Sequence, residues 1–218
     1  MLNIALDGPS GSGKSTVAKI LSKKLDILYL DTGAMYRACA LEAILQGADC
    51  LDEESVSKFI NDIDLKIVYE NGAQKTILRG EDVSRKIRQN EVSLMASNIS
   101  SLPCVRIKMV EMQRKVAASS DCVLDGRDIG TYVLPNAEYK FFMTASPEIR
   151  AKRRYVELTE RGQTVDFDTL LKEINQRDYN DSHREFAPLR QAEDAVLLDT
   201  SEMTVEQVVD TVLSYIKK

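Results

Sequence analysis

The glycines, lysine and serine of residues 8–16 have the types and spacing that phosphate binding requires. The segment reads GPSGSGKST and fits the phosphate-loop pattern G-x-x-x-x-G-K-[ST] at each fixed position. Glycines let backbone N–H groups approach phosphate oxygens, and a helix that begins near Gly13 adds free N–H donors. A chance glycine-serine turn is disfavoured because an apolar run precedes the loop and an amphipathic helical pattern follows it. The pattern predicts a nucleotide-binding loop made of Gly8, Pro9, Ser10, Gly11, Ser12, Gly13, Lys14, Ser15 and Thr16.

Three side chains are candidates for the phosphate and metal chemistry itself. Lys14 can reach the β- and γ-phosphates of a triphosphate, and the Ser15 hydroxyl can ligate Mg²⁺. Asp125 ends an apolar run and is a candidate for the acidic residue that holds Mg²⁺, usually through water, opposite Ser15. A turn aspartate after a strand is common in its own right, so this interpretation depends on the phosphate loop. ATP and Mg²⁺ are the predicted cofactors.

Two arginines follow predicted strands at what should be the same edge of the sheet. Arg37 lies six residues after Asp31, and Arg127 lies two residues after Asp125. Guanidinium groups bind phosphate oxygens bidentately. One such arginine is usually a surface charge, but two of them beside a phosphate loop predict a second phosphate, that of an acceptor.

Helical spacing places two further charged sets each on one helix face. Either set alone is most simply a solvated, ion-paired surface. Phosphoryl transfer, however, needs cations around the migrating group, and arginines on a flap that closes over ATP would supply them. The first set is Arg150, Arg153 and Arg154, continued by Glu157 and Arg161, and the second is Arg177, Asp181 and Arg184.

Composition excludes several other kinds of function. The 218 residues are 44% hydrophobic, enough for one sizeable core, and the net charge of −5 predicts no nucleic-acid partner. The one histidine, His183, rules out most histidine-based metal sites and Ser-His-Asp catalysis. The four cysteines lack metal-ligand spacing and predict free thiols in a reducing cytosol. With no apolar run near the roughly 18 residues that span a membrane and no visible signal peptide, we expect a soluble cytoplasmic protein, most simply a monomer.

Five apolar runs separated by helical patterns predict an α/β fold with a five-stranded parallel sheet and helices on both faces. Ligands of such sheets bind at the carboxyl ends of the strands. The polar residues that end the runs should therefore meet at one edge, and these are Asp7, Asp31, Asp125, Thr144 and Asp199. Helix starts are indicated at Asp52, at Pro103 and at a capping box formed by Thr204 and Gln207. Arg106 lies off the apolar stripe of the helix that Pro103 opens.

Two segments depart from this alternation. Alternating runs at 64–69 and 74–79 flank Asn71-Gly72, a strong hairpin signal, so we interpret residues 61–90 as an inserted antiparallel lobe. Residues 148–175 are strongly charged and predict a short, mobile, solvated lid rather than a buried layer. The prediction is one domain, 1–218, with its core at 1–60, 91–147 and 176–218.

Taken together, these residues resemble the nucleoside monophosphate kinases, in particular the bacterial cytidylate kinases. The first matching motif, GPSGSGKST, is generic to phosphate-loop proteins, but the others in this order are specific and cover essentially the whole chain. They are DTGAMYR (31–37), GEDVS (80–84), LDGRDIGT (124–131), RDYNDSHR (177–184) and LLDTS (197–201). The resemblance implies transfer of the γ-phosphoryl group of ATP to CMP or dCMP, with 61–90 as the monophosphate-binding lobe.

The resemblance also implies roles for individual positions. The acceptor phosphate would be bound by Thr32, Arg37 and Arg127, and the cytosine ring by Ser97, Arg106 and Asp128. The sugar and phosphate would be bound by Arg177, Asp181 and Arg184, and the lid would carry Arg153, Arg154 and Arg161. The implied catalytic set is Lys14, Asp125, Arg127, Arg153 and Arg154, and the metal set is Ser15 and Asp125. Many nucleotide kinases have glycine at the position of Ser15, so the resemblance alone does not require direct ligation of Mg²⁺ by Ser15.

Base chemistry agrees with the implied cytosine contacts. Cytosine offers an N4 donor and the N3 and O2 acceptors, so Asp128 could accept from N4 while Arg106 and Ser97 donate to the ring. Uracil carries an acceptor at C4, and a buried mismatch of that kind costs several kcal/mol. A strong preference for CMP over UMP follows.

Two other functions are compatible with the phosphate loop. A kinase on the same scaffold could act on UMP, AMP or a metabolite alcohol, in which case the cytosine-reading residues would have no purpose. A nucleotide-triggered switch would hold or hydrolyse ATP without responding to CMP. The paired acceptor arginines and the arginine-rich flap argue against the switch.

Overall fold

The computed structural model describes residues 1–70, 72–160 and 162–216 of the chain. Its strands, in chain order, are β1 Asn3–Asp7, β2 Leu28–Asp31, β3 Leu65–Glu70, β4 Ala73–Leu78, β5 Glu81–Asp82, β6 Cys122–Gly126, β7 Tyr139–Thr144 and β8 Val196–Asp199. Its helices are α1 Lys14–Leu25, α2 Thr32–Gln46, α3 Glu53–Ile60, α4 Asn90–Ile99, α5 Pro103–Ser119, α6 Pro147–Glu160, α7 Phe167–His183 and α8 Val205–Tyr215. A 3₁₀ turn, Lys86–Arg88, and a π-helical turn, Ile129–Val133, complete the elements.

The predicted five-stranded parallel sheet is confirmed, with strand order β2-β6-β1-β7-β8. Successive side chains of a strand point to opposite faces, and both faces of this sheet are buried. Ile4 and Leu6 belong to a hydrophobic cluster that also contains residues of α1 and α8, whereas Ala5 belongs to a second cluster with residues of α2 and α5. Burial on both faces explains why the strands read as continuous apolar runs. Their carboxyl ends form one edge.

The inserted segment forms a three-stranded antiparallel sheet in the order β3-β4-β5. Leu65, Leu78 and Val83 pack into the same hydrophobic cluster as residues of α2, so this small sheet packs against that helix. It also contacts the main sheet, since the Gln74 side chain accepts a hydrogen bond from the Asp31 backbone N–H at 2.7 Å. Asn71 of the predicted turn lies outside the described residues.

The expectation that residues 148–175 are solvated throughout is wrong for one face of α6 and α7. These two helices pack against each other and bury Ala151, Leu158, Leu170 and Ile174. The sequence signal was weak because the apolar residues are few and widely spaced among charged ones. The expected boundary at 175/176 falls inside α7, which is continuous from Phe167 to His183; the division into core, lobe and lid stays a prediction.

Helix boundaries follow the local signals. Asp52 caps α3 through a hydrogen bond from the Glu54 backbone N–H, Pro103 is in the first turn of α5, and Thr204 with Gln207 forms the predicted capping box of α8. The four cysteines are free thiols, as predicted. Within the described residues, no helix combines the length and the apolar composition needed to cross a membrane.

Candidate active site

The phosphate loop connects β1 to α1 at the carboxyl edge of the sheet. Gly8 has a φ of 142°, and a Cβ at this position would lie 1.9 Å from the Met143 carbonyl oxygen, so only glycine fits. Gly13 is the N-cap residue of α1 with a φ of 93° in the left-handed region. The loop therefore delivers the first N–H groups of α1 and the positive end of its dipole to one concave site, an arrangement suited to phosphate oxygens.

Lys14 lies over the loop. Its Nζ donates hydrogen bonds to the Pro9 carbonyl oxygen at 2.6 Å and to the Ser12 Oγ at 3.2 Å. Burial and the nearby Arg127 guanidinium lower the pKa of Lys14, whereas Asp125 and Asp7 oppose that shift. An anionic phosphate at the loop would favour the charged lysine and relieve this cost.

Ser15 and Asp125, the two predicted metal residues, are in contact. The Ser15 hydroxyl donates to the Asp125 Oδ2 at 2.5 Å, and the Asp125 backbone carbonyl accepts from the Thr32 hydroxyl at 2.6 Å. Burial and the neighbouring Asp31 raise the pKa of Asp125, with Ser15 and Lys14 acting in the opposite direction. Two oxygen donors beside a phosphate loop fit Mg²⁺, which takes few protein ligands and keeps water and phosphate oxygens. No cluster of three or more acidic, histidine or cysteine ligands occurs within the described residues.

Sequence reasoning missed Tyr29 at this site. Its hydroxyl donates to the other carboxylate oxygen of Asp125 at 3.2 Å, so both oxygens of Asp125 are fixed by hydroxyl groups. Tyr29 belongs to β2, where it reads as part of an apolar run. Only the pairing of β2 with β6, which sets Tyr29 opposite Val123, shows that its hydroxyl can reach the end of the neighbouring strand.

The predicted acceptor-phosphate arginines lie together at the edge of the sheet. Arg37 pairs with Asp31 at 3.0 Å, and the Arg127 Nε donates to the Asp181 Oδ2 at 2.7 Å. Arg127 and Arg177 hold the pKa of Asp181 below its usual value despite burial. The spacing of the second charged set therefore does place Asp181 towards the site.

Arg177 is the cation with the least compensation in this group. Burial and the like charges of Arg127, Arg37 and Arg154 lower its pKa to about 10, and Asp181 opposes that shift. Its buried Nε has no hydrogen-bond partner among the described residues. A half-buried, underpaired guanidinium close to three other arginines is an electrostatic arrangement that an anion would stabilise.

Arg106 and Asp128 form a buried ion pair. Arg106 is 1% exposed, its Nη2 donates to the Asp128 Oδ2, and its Nη1 donates to the Ser100 carbonyl oxygen at 3.2 Å. The Arg184 Nη2 lies 3.4 Å from the Asp128 Oδ1, so both oxygens of this carboxylate face arginines. The expected position of Arg106 off the apolar stripe does not make it exposed, because Asp128 compensates its charge.

Tyr36 and Ser97 lie near the Arg106–Asp128 pair; Ser97 was predicted as a site residue and Tyr36 was not. The Tyr36 ring lies under the Arg106 guanidinium, 5.4 Å from its centroid, a cation–π contact that no local pattern predicts. Ser97 is half-buried in α4 and is connected to Arg106 through Ser100. The Ser100 hydroxyl donates to the Ser97 carbonyl oxygen, and the Ser100 carbonyl oxygen accepts from Arg106.

The arginines of the lid have three different environments. Arg153 donates to the Thr200 carbonyl oxygen at 2.6 Å and to its hydroxyl at 3.1 Å, and Arg154 pairs with Glu157 at 2.9 Å. The expectation that Arg150 shares their solvated face is wrong, since Arg150 is buried within the fold. Arg161 lies outside the described residues.

A parallel sheet with a phosphate loop, a hydroxyl–carboxylate pair for a divalent cation and a second group of arginines defines a kinase of the phosphate-loop class. The family model described as "Cytidylate kinase" matches residues 4–218. The chain belongs to the cytidylate kinase family.

Individual proteins agree with this assignment. The chain is 48% identical over 217 residues to "Cytidylate kinase" from Caldicellulosiruptor saccharolyticus, covering 100% of this chain and 96% of that protein. It is 44% identical over 217 residues to "Cytidylate kinase" from Bacillus subtilis, covering 100% and 97%. A gluconokinase structure from Sinorhizobium meliloti is similar at a TM-score of 0.51 and 12% identity, covering 98% of this chain and 90% of that one. That likeness shows the fold alone.

Proposed function

We propose that the chain transfers the γ-phosphoryl group of ATP to CMP or dCMP and so forms ADP and CDP or dCDP. Membership of the cytidylate kinase family supports the reaction. The observation that carries the residue assignments is the half-buried Arg177, whose buried Nε has no hydrogen-bond partner among the described residues and whose pKa is lowered by burial and by Arg127 and Arg37. A monophosphate acceptor would bring two negative charges to these cations.

On the donor side, the phosphate loop binds the triphosphate through its N–H groups, and Lys14 moves from its contacts with Pro9 and Ser12 to the β- and γ-phosphates. Ser15 and Asp125 would hold Mg²⁺, which when bound would neutralise charge on the phosphates of ATP. Tyr29 and Thr32 keep Asp125 in position. Arg153 and Arg154 act near the migrating group as cations of the lid.

On the acceptor side, Thr32, Arg37 and Arg127 orient the monophosphate so that one of its oxygens faces the γ-phosphorus in line with the leaving oxygen. The acceptor phosphate is already an anionic nucleophile, so no histidine base is needed. Positioning and charge neutralisation account for most of the rate. Arg177 stabilises the charge that spreads over the transferred oxygens.

The base is read by the Arg106–Asp128 pair. Asp128 orients Arg106 and Arg184, and each of its oxygens retains a lone pair, so it can still accept from the cytosine N4 group. Arg106 then donates towards N3 or O2, with Ser97 at the same side of the pocket, and Asp181 and Arg184 contact the sugar and phosphate. Uracil would place a carbonyl oxygen against the Asp128 carboxylate.

The acceptors proposed are small molecules rather than nucleic acids. The protein is proposed to act as a monomer in the cytoplasm. The net charge of −5 and the four free thiols support these assignments.

The test is ADP release from Mg·ATP with CMP, dCMP, UMP, AMP, GMP or no acceptor. We expect turnover with CMP and dCMP and a kcat/KM for UMP at least about 100-fold lower, the effect of an unpaired buried polar group. Comparable kcat/KM values for CMP and UMP would contradict the assignment of Asp128. ATP loss that is indifferent to every acceptor would favour the switch.

A further inference from the structure

Arg150 makes three hydrogen bonds that join three separate segments. It is 3% exposed, and its Nε donates to the carbonyl oxygen of Ala145, which follows β7, at 2.8 Å. Its Nη1 donates to the Ser10 carbonyl oxygen in the phosphate loop at 3.2 Å, and its Nη2 donates to the Asp178 Oδ2 in α7 at 2.6 Å. One planar guanidinium therefore connects the sheet, the donor loop and the helix of the acceptor arginines.

The contact with Ser10 bears on how the loop presents its N–H groups. A loop that points its N–H groups at a phosphate must turn carbonyl groups away from it, and each of these carbonyls needs a donor elsewhere. Arg150 is that donor for Ser10. The loop also lies directly on the Arg150 side chain, since a Cβ added at Gly11 would lie 3.1 Å from the Arg150 Cβ.

The contact with Asp178 bears on the acceptor site. Asp178 is adjacent to Arg177 and lies one helical turn before Asp181, which pairs with Arg127 at 2.7 Å. The other oxygen of Asp178 is buried without a hydrogen-bond partner among the described residues, so Arg150 provides its compensating contact. Loss of Asp178 would leave the buried Arg150 guanidinium under the loop without its carboxylate, and loss of Arg150 would leave the half-buried Asp178 in α7 without its cation.

We propose that Arg150 and Asp178 are positioning residues that hold the phosphate loop and α7 in one fixed relation, so that occupancy of the donor site strengthens binding at the acceptor site. This inference rests on the proposed function for the identity of the acceptor. Coupling between sites requires an element whose state both ligands affect, and the Ser10–Arg150–Asp178 connection is that element.

Calorimetry on the full chain tests the proposal with CMP as the acceptor ligand. The dissociation constant of CMP is measured without and with a saturating non-hydrolysable ATP analogue and Mg²⁺. For the unmodified protein we expect CMP to bind at least about fivefold tighter with the analogue, the low end of measured couplings. For Asp178→Asn, which keeps the side-chain size but removes the charge, we expect the ratio to fall below about twofold.

Asp194→Asn is the matched control. Asp194 pairs with the buried Lys140 at 2.7 Å, as Asp178 pairs with the buried Arg150, but it precedes β8 and lies at the opposite end of that strand from the catalytic edge. Both variants should lower the melting temperature, whereas only Asp178→Asn should lower the coupling ratio. Equal ratios in the unmodified protein and Asp178→Asn would overturn the proposal, and so would an unmodified protein without coupling.

A second arm does not depend on the acceptor. Arg150→Lys retains the charge but cannot reach three acceptors, so it should weaken the ATP analogue at least about threefold in the absence of CMP. Unchanged affinity for the analogue in a folded Arg150→Lys protein would overturn the role at the phosphate loop. If the unmodified protein bound the analogue but not CMP, the proposed acceptor would be wrong, and this arm would still decide the role of Arg150.

Discussion

Charged side chains at the carboxyl edge of the sheet are held in pairs that leave one cation undercompensated. Asp31 accepts from Arg37, Asp181 from Arg127, and Asp128 from Arg106, whereas the Arg177 Nε lacks a partner among the described residues. Each carboxylate fixes the direction of a guanidinium group in advance, so little reorganisation is needed when a phosphate arrives. A bound anionic ligand would offset the unfavourable free energy of bringing these positive charges together.

Replacement of Arg127 by alanine should lower kcat/KM by about 10²–10³-fold, the usual effect of removing a preorganised group that stabilises developing charge. It should also reduce the free energy of unfolding by about 1–3 kcal/mol, because Asp181 would remain buried without the partner that lowers its pKa. Steady-state kinetics with CMP and thermal unfolding measure the two effects.

The Arg127→Lys variant separates the effect on activity from the effect on stability. A lysine keeps a positive charge near Asp181 but not the bidentate fork. We therefore expect stability close to that of the unmodified protein and activity close to that of the alanine variant. Near-normal kcat/KM in Arg127→Ala would make Arg127 a surface charge without a role in transfer.

Asp7 gives a pH-dependent contribution to stability. Its carboxylate accepts from the backbone N–H groups of Ile129 and Gly130, both at 2.7 Å, and burial raises its pKa to about 7 from 3.8. A carboxyl group whose pKa is raised by folding stabilises the native state at low pH, and this contribution is lost as the pH rises towards the folded pKa. The stability advantage of the unmodified protein over Asp7→Asn should thus decrease by on the order of 2 kcal/mol between pH 5 and pH 8.

Chemical denaturation of both proteins at pH 5, 6, 7 and 8 provides the measurement. The asparagine variant has no titratable group at this position, so the difference between the two curves isolates Asp7. A difference that is constant over this range, or that grows with pH, would show that Asp7 is already ionised well below neutrality.

The secondary-structure elements position the residues of the candidate site at the ends of strands and on one face of a helix. β1 ends in Asp7, and Asp125 is the last residue but one of β6. Arg177 and Asp181 belong to α7, Arg184 is its C-cap residue, and Asp178 of α7 pairs with Arg150 of α6. Because α7 is one continuous helix, a displacement at its lid end is transmitted to its acceptor end unless the helix bends.

The phosphate loop tolerates no side chain where it passes β7. Gly8→Ala would combine a φ of 142° with a Cβ 1.9 Å from a backbone carbonyl oxygen, an overlap that no rotamer change relieves. We expect a loss of more than about 3 kcal/mol in the free energy of unfolding, beyond the usual range for single substitutions. Thermal and chemical unfolding measure it.

Gly47→Ala is the control for backbone conformation alone. Gly47 ends α2 with a φ of 67° and has no atom within 4 Å of an added Cβ among the described residues. Gly47→Ala should lower the free energy of unfolding by about 1 kcal/mol, the penalty for an alanine in the left-handed conformation without a steric clash. Similar losses at the two glycines would show that β7 moves to accommodate Gly8→Ala.

The helices and strands can be predicted from the sequence because their signals are local. The partners of the buried arginines cannot, because they are distant in the sequence. The strands, the hairpin and the helix caps each follow from a few consecutive residues. The burial of Arg106 depends on Asp128, 22 positions away, and that of Arg150 on Ser10 and Asp178. The types and order of the charged residues indicated a phosphate site, but only tertiary packing decides which arginine supports the loop and which remains available for a ligand.

At the scale of the whole molecule, the arginines of the candidate site come from separate parts of the chain: Arg37 from α2, Arg127 from the segment after β6, Arg154 from α6 and Arg177 from α7. Arg127, Arg37 and Arg154 each lower the pKa of Arg177, and this mutual repulsion opposes closer approach of the segments that carry them. Anionic substrates would remove that repulsion. Ligand binding should therefore favour a more closed arrangement.

Small-angle X-ray scattering measures this closure directly. With CMP and a non-hydrolysable Mg·ATP analogue together, we expect a smaller radius of gyration than for the protein alone, and a smaller change with either ligand alone. An unchanged scattering profile with both ligands at saturating concentration would contradict closure of the lobe at 61–90 and the lid at 148–175.

The contact between Gln74 and Asp31 also bears on the exposed edge of the main sheet. β2 is an outer strand of the main sheet, and an outer strand presents unpaired backbone groups to which another chain can add. The Gln74 amide accepts from the Asp31 N–H at 2.7 Å and donates to the Asp31 carbonyl oxygen at 3.4 Å, as a neighbouring strand would. The inserted sheet thus occupies the backbone N–H and carbonyl groups of Asp31, at the carboxyl end of this edge strand, where another chain could otherwise pair.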